Sequence, residues 1–427
     1  MIAATLQVVT EAASVPSLMG IRVEFILFAL TLVGVATLHR YAMQVALTGM
    51  SVILLFKLAF DGSFHLVEHM VGSPEQEGEW RTLLNLLGLL LGFAVLAKHF
   101  EESKIPLALP AFLPDGWKGG LVLLAMVFVL SSFLDNIAAA MIGGAMALVV
   151  FRGKVHIGFL AAIVAASNGG GAGSVVGDTT TTMMWIEGVR AREVLAAYTA
   201  AFPALLLFGV IAARQQDAYN RITADAPAGI HIEWKRVLVV VMILAGTIAT
   251  NIVLDFPAVG VWIALLLGAT FTKTPWGELP NALKGSVFLL SLVMCASMMP
   301  VDELPPASWQ SSFGLGFVSA VFDNIPLTKL ALEQSGYDWG MLAYTVGFGG
   351  SMIWFGSSAG VALSNMYPEA KNTGAYLRGG WHVAVAYVVG FFIMLAIHGW
   401  EPGTETASNL PVDAPHVTHV AYRSSGP

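Results

Sequence analysis

The sequence contains very little charge and almost no cysteine. Only 11% of its 427 residues are Asp, Glu, Lys or Arg, whereas about 25% is usual in soluble domains. This scarcity excludes a separate soluble domain of any size. The single cysteine, Cys295, excludes an intramolecular disulfide framework and a metal site built from several cysteines.

The two ends of the sequence lack the features of targeting signals. No positively charged stretch precedes an apolar segment near the N-terminus, so we expect no cleaved signal peptide. The polar segment 399–427 is rich in Pro, Ser and Thr, and we expect it to be a disordered tail.

Apolar residues make up most of the chain. They account for 56% of the sequence, and the mean hydropathy is +0.73. Apolar runs long enough to cross a hydrocarbon core of about 30 Å recur along nearly the whole length. These segments are 21–38, 41–60, 82–97, 119–151, 155–186, 190–212, 237–254, 257–272, 286–301, 307–334, 339–365 and 379–398. The pattern predicts an all-α polytopic membrane protein in contact with membrane lipids, with no nucleic-acid partner.

Four of these segments are too long or too polar in the middle to be single crossings. Segments 119–151 and 307–334 are each interrupted by an Asp-Asn pair, in "SSFLDNIAAAM" and "SAVFDNIPLTK". Each predicts a re-entrant helical hairpin, which enters and leaves the membrane on the same side. Segments 155–186 and 339–365 are interrupted by Gly-rich polar stretches, as discontinuous helices are. About ten transmembrane crossings accompany the two hairpins in this layout.

The distribution of positive charge orients the layout. With both hairpins re-entrant, 14 of the 21 Lys and Arg residues fall on one side, which the positive-inside rule assigns to the cytoplasm. Both termini are then predicted outside, in what we expect to be a bacterial inner membrane. The 14 residues are Arg40, Lys98, Lys104, Lys118, Arg152, Lys154, Arg214, Arg221, Lys235, Arg236, Lys273, Lys284, Lys371 and Arg378.

The order of elements occurs twice, which predicts an inverted repeat. In each half, ordinary crossings are followed by an Asp-Asn hairpin, a Gly-broken helix and a closing crossing. "GGAGSVVGDTT" from Gly170 aligns with "GGSMIWFGSSA" from Gly349, and Gly177 aligns with Gly356. Inverted repeats with discontinuous helices are typical of secondary transporters, in which one site must be reachable from both sides. The predicted units are an N-terminal segment 1–20, a first repeat 21–212, a cytoplasmic loop 213–236, a second repeat 237–398 and the tail 399–427.

Three aspartates lie at the predicted interruptions. Asp135 and Asp323 are at the hairpin tips, and Asp178 follows the first helix break. A charged side chain in the bilayer centre costs about 2.5–3.5 kcal/mol on insertion scales, so such residues face partners, cavities or ions. One interpretation is that each aspartate only caps a helix. The other is that the carboxylates bind a cation or a proton.

Neutral oxygens accompany these carboxylates. Asn136 and Asn324 follow the two tip aspartates, and amide oxygens of this kind suit a hard cation such as Na⁺. The stretch "SNGGGAGSVVGDTTTTMMWI" can unwind at its glycines and expose backbone carbonyls. A phosphate-binding loop is excluded because no lysine lies between 155 and 234. The stretch adds further candidate ligands at Asn168, Ser174, Gly177, Asp178, Thr180 and Thr181.

The two halves are chemically unequal. Ser357 stands in the second half where Asp178 stands in the first, and Ser358 follows it. In the second hairpin, Lys329 is predicted to pair with Glu333, four residues later on the same helix.

The Gly-rich stretch resembles the signature of NhaD-type sodium/proton antiporters. Its Asn, paired glycines, Gly-Asp, Thr run and Met-x-Trp-Ile stand in the family's register, and the Asp-Asn-Ile tips and "FGSSAGVA" are similar too. The family belongs to the ion transporter superfamily, with arsenite pumps and sodium–dicarboxylate carriers. The resemblance covers roughly residues 82 to 398. Departures from the pattern include Leu134, Ala138 to Ala140, Gly173 and Val175.

The resemblance implies roles for individual residues. It implies sodium ligation by the Asp-Asn pairs and Asp178, and an elevator-type homodimer whose scaffold includes 21–60 and 237–272. Cation or proton roles are implied for Asp135, Asn136, Asn168, Asp178, Thr180, Thr181, Asp323, Asn324, Ser357 and Ser358.

Three functions are compatible with the sequence. The first is Na⁺(Li⁺)/H⁺ antiport at intramembrane carboxylates, with no cofactor. The second is cation-coupled uptake of a di- or tricarboxylate or another anion, which acidic tips disfavour by repulsion. The third is an intramembrane enzyme or a channel, neither of which needs paired broken helices. We expect the first, and we expect no enzymatic activity.

Overall fold

The computed structural model describes residues 16–38, 41–73, 78–222 and 229–403. Most of the N-terminal segment 1–20 and most of the tail 399–427 lie outside the described residues, as does part of the loop 213–236. The prediction of a disordered tail therefore concerns residues that are not described.

The described part of the chain is almost entirely helical. Two short antiparallel strands, β1 (Ser17–Leu18) and β2 (Ile21–Arg22), pair Ser17 with Arg22 before the first helix. The α-helices are α1 Val23–Thr37, α2 Ala42–Phe60, α3 Leu66–Val71, α4 Trp80–Glu102, α5 Ile105–Ala108, α6 Trp117–Ser131, α7 Asn136–Val150, α8 Ile157–Ala172, α9 Thr179–Ile186, α10 Ala191–Leu195, α11 Tyr198–Tyr219, α12 Trp234–Leu254, α13 Pro257–Ala269, α14 Leu279–Ser297, α15 Trp309–Ser319, α16 Asn324–Gln334, α17 Trp339–Gly349, α18 Ser358–Met366, α19 Thr373–Gly379 and α20 Trp381–His398. Short 3₁₀ helices occupy Leu109–Phe112, Trp276–Glu278, Val301–Glu303 and Pro368–Lys371.

The helices have the length and composition of membrane spans. Within the described ranges, six helical segments are long and apolar enough to cross a membrane: Ala42–Phe60, Trp80–Glu102, Ala191–Tyr219, Trp234–Leu254, Trp276–Ser297 and Trp381–His398. Large apolar side chains also point outward, as at Ile252 and Val253, which are both 75% exposed. Such an apolar exterior is stable against lipid rather than water. The prediction of an all-α polytopic membrane protein is confirmed at this level.

Four long apolar segments are broken where the sequence places polar residues. Irregular residues 132–135 separate α6 from α7, and 320–323 separate α15 from α16; we call these stretches tip one and tip two. Residues 173–178 separate α8 from α9, and 350–357 separate α17 from α18; we call these break one and break two. The helix after each interruption begins with a side-chain cap, because Asp and Ser oxygens accept hydrogen bonds from otherwise unpaired N–H groups.

The four caps occupy the positions that the repeat pattern matches. Oδ1 of Asp135 accepts from the Ile137 N–H at 3.3 Å, and Oδ1 of Asp323 accepts from the Ile325 N–H at 3.0 Å. Oδ1 of Asp178 accepts from the Thr180 N–H at 3.0 Å, and Oγ of Ser357 accepts from the Gly360 N–H at 3.2 Å. Capping therefore uses one oxygen of each carboxylate, and the second oxygen remains for other contacts.

Glycine brings each tip against the break of its own half. A Cβ at Gly177 would clash with the carbonyl oxygen of Ser131, and a Cβ at Gly356 would clash with that of Ala320. The backbones approach so closely that no other residue fits without a shift. Ser131 is the last residue of α6 and Ala320 is the first residue of tip two, so glycine allows a similar close approach in both halves, one position apart along the hairpin.

The broken helices cross between the two halves. Helix α7 packs on α18, α16 packs on α9, and α8 packs on α17. Every residue of α17 is buried, as is α8 from Gly158 to Ala172. We call α6 to α9, α11, α15 to α18 and α20 the central group. The scaffold group, α1, α2, α4, α12, α13 and α14, meets it where α4 contacts α9 and α14 contacts α16.

Several helices extend past the apolar segments, and α14 and α11 extend furthest. Helix α14 starts at Leu279, before the predicted 286, with Pro280 in its first turn. Proline favours this position because its fixed φ suits a helix start and its missing N–H is not needed there. Helix α11 runs to Tyr219, past the predicted 212. The first turn of α14 and the last turn of α11 are polar, so a hydropathy pattern does not detect these boundaries.

Candidate ion-binding site

Asn136 joins the first tip to the first broken helix. Its amide nitrogen donates to Oδ2 of Asp178 at 3.1 Å and to Oδ1 of Asn168 at 3.2 Å. All three side chains are buried, with relative exposures of 5% or less. Three residues predicted as ligands from separate parts of the sequence therefore lie together. Both oxygens of the Asp178 carboxylate accept a hydrogen bond, one from Asn136 and one from the Thr180 N–H.

Asp135 lies beside the same cluster. It lines a cavity of about 20 Å³ with Asp178, Thr179, Thr182 and apolar residues of α4, namely Leu86, Leu89, Leu90 and Phe93. A cavity of this size has room for about one water molecule. Two carboxylates of the central group thus face one small space that is closed on the other side by the scaffold group.

The hydroxyls of the first broken helix have different roles. Oγ1 of Thr181 donates to backbone carbonyls in break one, including that of Ser174 at 2.5 Å. Oγ of Ser174 donates to the Ser132 carbonyl in tip one at 2.7 Å. Gly177 provides the close tip contact. The Thr180 side chain is buried beside the Asp178 carboxylate and interacts with it. Thr180 therefore belongs to the same polar cluster.

The second half has a simpler arrangement. Oγ of Ser358 lies 3.5 Å from Oδ2 of Asp323, and Ser357 caps α18 without a second polar contact to the tip. The Asn324 amide nitrogen is buried and has no hydrogen-bond partner among the described residues. In the repeat alignment, Gly347 stands where Asn168 stands, and Ser357 stands where Asp178 stands. The two acceptors that Asn136 uses are therefore missing around Asn324.

A hydrogen bond of Asn168 connects this cluster to the second half. Nδ2 of Asn168 donates to Oγ of Ser351, which belongs to break two and is fully buried. Tyr198 OH donates to Oγ of Ser132 at 2.7 Å and supports tip one from helix α11. The sequence analysis missed both Ser351 and Tyr198. Ser351 directly follows the paired glycines of break two, which was a usable signal, whereas Tyr198 had none.

The cluster is suited to binding a proton or a monovalent cation. The charges of Asp135 and Asp323 both act on Asp178, so the three carboxylates repel one another. Buried carboxylates that repel are stabilised by a bound cation or by protonation. Within the described ranges, no group of three or more His, Cys, Asp or Glu side chains converges in the way that a resident metal ion requires. Carboxylate, amide and backbone oxygens are the donors present here, and they suit Na⁺.

Comparisons with known proteins point to one family. No family model matches the chain. The Na⁺/H⁺ antiporter NhaD of Alkalimonas amylolytica is 30% identical over 128 residues, which are 27% of this chain and 26% of the relative. NhaD of Halomonas elongata is 33% identical over 88 residues, which are 20% of this chain and 18% of the relative. Sodium/proton antiporter 1 of Arabidopsis thaliana is 29% identical over 146 residues, with 28% and 25% covered. The matches span about a quarter or less of each relative, and they confirm the resemblance that the motifs indicated.

Proposed function

With its relationship to the NhaD-type antiporters as the premise, we propose that this chain is a secondary transporter that exchanges Na⁺ or Li⁺ for protons. The observation that carries the proposal is the link from the Asn136 amide to Asp178, beside the cavity that Asp135 also lines. This arrangement places two carboxylates and neutral oxygens around one small space. Acidic tips repel anions, so uptake of a carboxylate substrate is not favoured.

The exchange follows from electrostatics. Each tip aspartate and Asp178 uses one oxygen as a helix cap, so the other oxygen can take a proton or contact a cation. Two buried ionised carboxylates without a cation are costly in a low-dielectric environment. The site is therefore stable in a protonated or cation-bound state. A transporter that changes conformation only in these two states exchanges one ion for the other.

The larger architecture belongs to the same proposal. The repeated order of elements and the crossed packing of α7 on α18 and α16 on α9 support an inverted repeat, with units 21–212 and 237–398. We assign alternating access to an elevator movement of the central group against the scaffold group. The scaffold group would form a homodimer in a bacterial inner membrane, with both termini outside.

Purified protein in proteoliposomes tests this function. A preset pH gradient should collapse when Na⁺ or Li⁺ is added, across about pH 6 to pH 9, the range in which a carboxylate with a raised pKa exchanges its proton. Asp178→Asn should abolish this response, because the amide has no charge to balance a cation. Asp115→Asn is the matched control, since Asp115 is exposed and lies in the loop before α6.

Binding measurements distinguish sodium binding from the conformational change that transport requires. Radioactive sodium should bind to the wild type and to Asp115→Asn in detergent, and protons should be released as it binds. Cation-independent dissipation of the gradient, or binding unaffected by Asp178→Asn, would contradict the proposal. Uptake of a labelled dicarboxylate driven by Na⁺ would establish the alternative function.

A further inference from the structure

Lys329 lies in a second buried charged cluster, away from the three aspartates. Its Nζ is 2.7 Å from Oε1 of Glu333, 2.9 Å from Oε1 of Glu79 and 3.0 Å from Oε1 of Glu187. The lysine is only 1% exposed. The predicted pair with Glu333 is present, but two further carboxylates from distant parts of the chain share the same ammonium group.

The cluster connects the two groups of helices. Lys329 and Glu333 lie on α16, and Glu187 directly follows α9, so these three residues belong to the central group. Glu79 directly precedes α4, which belongs to the scaffold group. The Lys329–Glu79 ion pair is therefore a charged link across the surface where the elevator proposal requires sliding.

Both central helices of the cluster begin at a candidate ion ligand. Helix α9 is capped by Asp178 at its start and is followed by Glu187; its eight residues span about 12 Å. Helix α16 is capped by Asp323 and carries Lys329 in its second turn. Because a short helix moves as a rigid rod, a displacement at either aspartate is transmitted to the cluster.

The cluster contains more negative than positive charge. Three carboxylates surround one ammonium group, so full ionisation leaves an excess of negative charge in a buried place. Oε2 of Glu79 is buried and has no hydrogen-bond partner among the described residues. Glu79 and Glu187 also line a cavity of about 660 Å³. This cavity lies between the end of α9 and the helices α4 and α12, so it places open space beside the cluster.

We propose that this cluster is a second proton-binding site, in which a proton taken up by Glu79 releases the ion pair between Glu79 and Lys329 and frees the central group from the scaffold. The proton site stands on the geometry of the cluster alone, and its effect on movement rests on the proposed antiport. Ionised Glu79 holds the link closed. Protonated Glu79 leaves Lys329 paired with Glu187 and Glu333 inside the central group.

The surroundings of Glu79 support a proton acceptor at this place. Burial raises its pKa, the charge of Lys329 opposes this effect, and the charges of Glu333 and Glu187 add to it, so that the pKa of Glu79 is about 7. The backbone N–H of Glu79 donates to the carbonyl of His69 at 3.1 Å, which fixes the residue against α3. The charged or titratable groups that face the cluster from neighbouring elements are Lys329 and Glu333 on α16, Glu187 after α9, His69 on α3 and Arg81 on α4. Arg190 before α10, Arg192 on α10 and Asp255 after α12 line the adjoining cavity.

An infrared titration of the full-length protein tests the proton site without any transport. Beside any contribution from the aspartates of the candidate ion site, the carbonyl stretch of protonated carboxyl groups should contain a component that disappears with a midpoint near pH 7, the pKa of Glu79. Glu79→Gln should lack this component. Glu79→Asp keeps the acid and should retain a titrating component. The matched control is Glu101→Gln, because Glu101 is an exposed carboxylate near the other end of α4.

Ion exchange in proteoliposomes tests the link. At a pH about one unit above the pKa of Glu79, Glu79→Gln should exchange Na⁺ for protons about tenfold faster than the wild type, while its equilibrium Na⁺ binding stays unchanged. Glu101→Gln should behave as the wild type in both assays. An unchanged infrared titration in Glu79→Gln overturns the proton site, and an unchanged exchange rate overturns the link. If the wild type neither binds nor exchanges Na⁺, the proposed function is contradicted. The infrared titration still tests the proton site in that case, because it does not depend on transport.

Discussion

The two tips have almost the same sequence, but their surroundings differ. In the first half, the amide nitrogen of Asn136 donates to Asp178 and Asn168. In the second half, the equivalent nitrogen of Asn324 has no partner among the described residues, because glycine and serine replace the two acceptors. The backbone arrangement is nonetheless similar, since glycine allows a close approach between hairpin and break in both halves.

This difference separates what the repeat needs for folding from what it needs for ion binding. The caps and the close glycine contacts occur in both halves, so they belong to the architecture. The carboxylate of Asp178, and the Asn136 amide that joins it to Asn168, occur in one half, so they mark the half where we propose that the proton is exchanged. Asp323 then contributes mainly by its charge.

The largest expected effect comes from making the first half resemble the second. Asp178→Ser keeps a side-chain cap for α9 but removes the carboxylate. We expect Na⁺-driven proton exchange to fall by about 100-fold or more, a loss of about 2.7 kcal/mol in transition-state or binding free energy. Exchange in proteoliposomes measures the loss. Asp323→Ser is the matched variant, and an equal loss there would remove the asymmetry that we infer.

A second pair of variants compares the two asparagines. Asn136→Ala removes the donor to Oδ2 of Asp178 and Oδ1 of Asn168, so we expect about 2 kcal/mol of destabilisation, as for other buried polar groups that lose a hydrogen bond. Asn324→Ala removes an amide nitrogen that was already unpaired, and we expect a cost below about 1 kcal/mol. Thermal unfolding in one detergent compares the two directly. Similar shifts in both variants would show that Asn324 has an acceptor outside the described contacts.

The helices that follow the half-sites also differ, and pH should reveal this. Helix α9 of the first half is followed by Glu187, whereas helix α16 of the second half carries Lys329. Lys329 forms ion pairs with both Glu187 and Glu79. The pKa of Glu79 rises from 4.5 to about 7 on folding, so the folded state binds a proton that the unfolded state releases between these values. The contribution of Glu79 to stability therefore decreases as pH rises through this window and is constant above it.

Glu79→Gln should remove this dependence. The unfolding temperature of Glu79→Gln relative to the wild type should rise as the pH increases from 4.5 to about 7. Glu101→Gln should show no such trend, since Glu101 is exposed. A constant difference between Glu79→Gln and the wild type would mean that Glu79 does not titrate in this window.

The smallest expected effect comes from making the second half resemble the first. Ser357→Asp keeps the cap of α18 and offers the amide nitrogen of Asn324 an acceptor. The added negative charge should increase equilibrium Na⁺ affinity about threefold, within the range usual for one partly buried charge interaction. Sodium binding in detergent measures the change. A loss of affinity would indicate that Ser357 itself contacts the ion and that a carboxylate there is too large.

Several features could be predicted from particular residues. The Asp-Asn pairs and the glycine runs located all four helix interruptions, because polar side chains and flexible backbone interrupt an apolar helix wherever they occur together. The Gly-rich motif also indicated a resemblance to the NhaD-type antiporters, which the partial matches confirm. Helix boundaries were less predictable. The start of α14 at Leu279 depends on a proline in a polar first turn, which an apolar pattern does not register.

By itself, the sequence determined the class of protein, the positions of the helix interruptions and the three aspartates at them, since each depends on local composition. Tertiary structure decided which of these residues meet. Asn136 and Asp178 are 42 residues apart, and Lys329 and Glu187 are 142 residues apart. No local pattern relates such positions. Their contacts arise because α7 and α9 converge at the first tip and because α16 of the second half packs on α9 of the first.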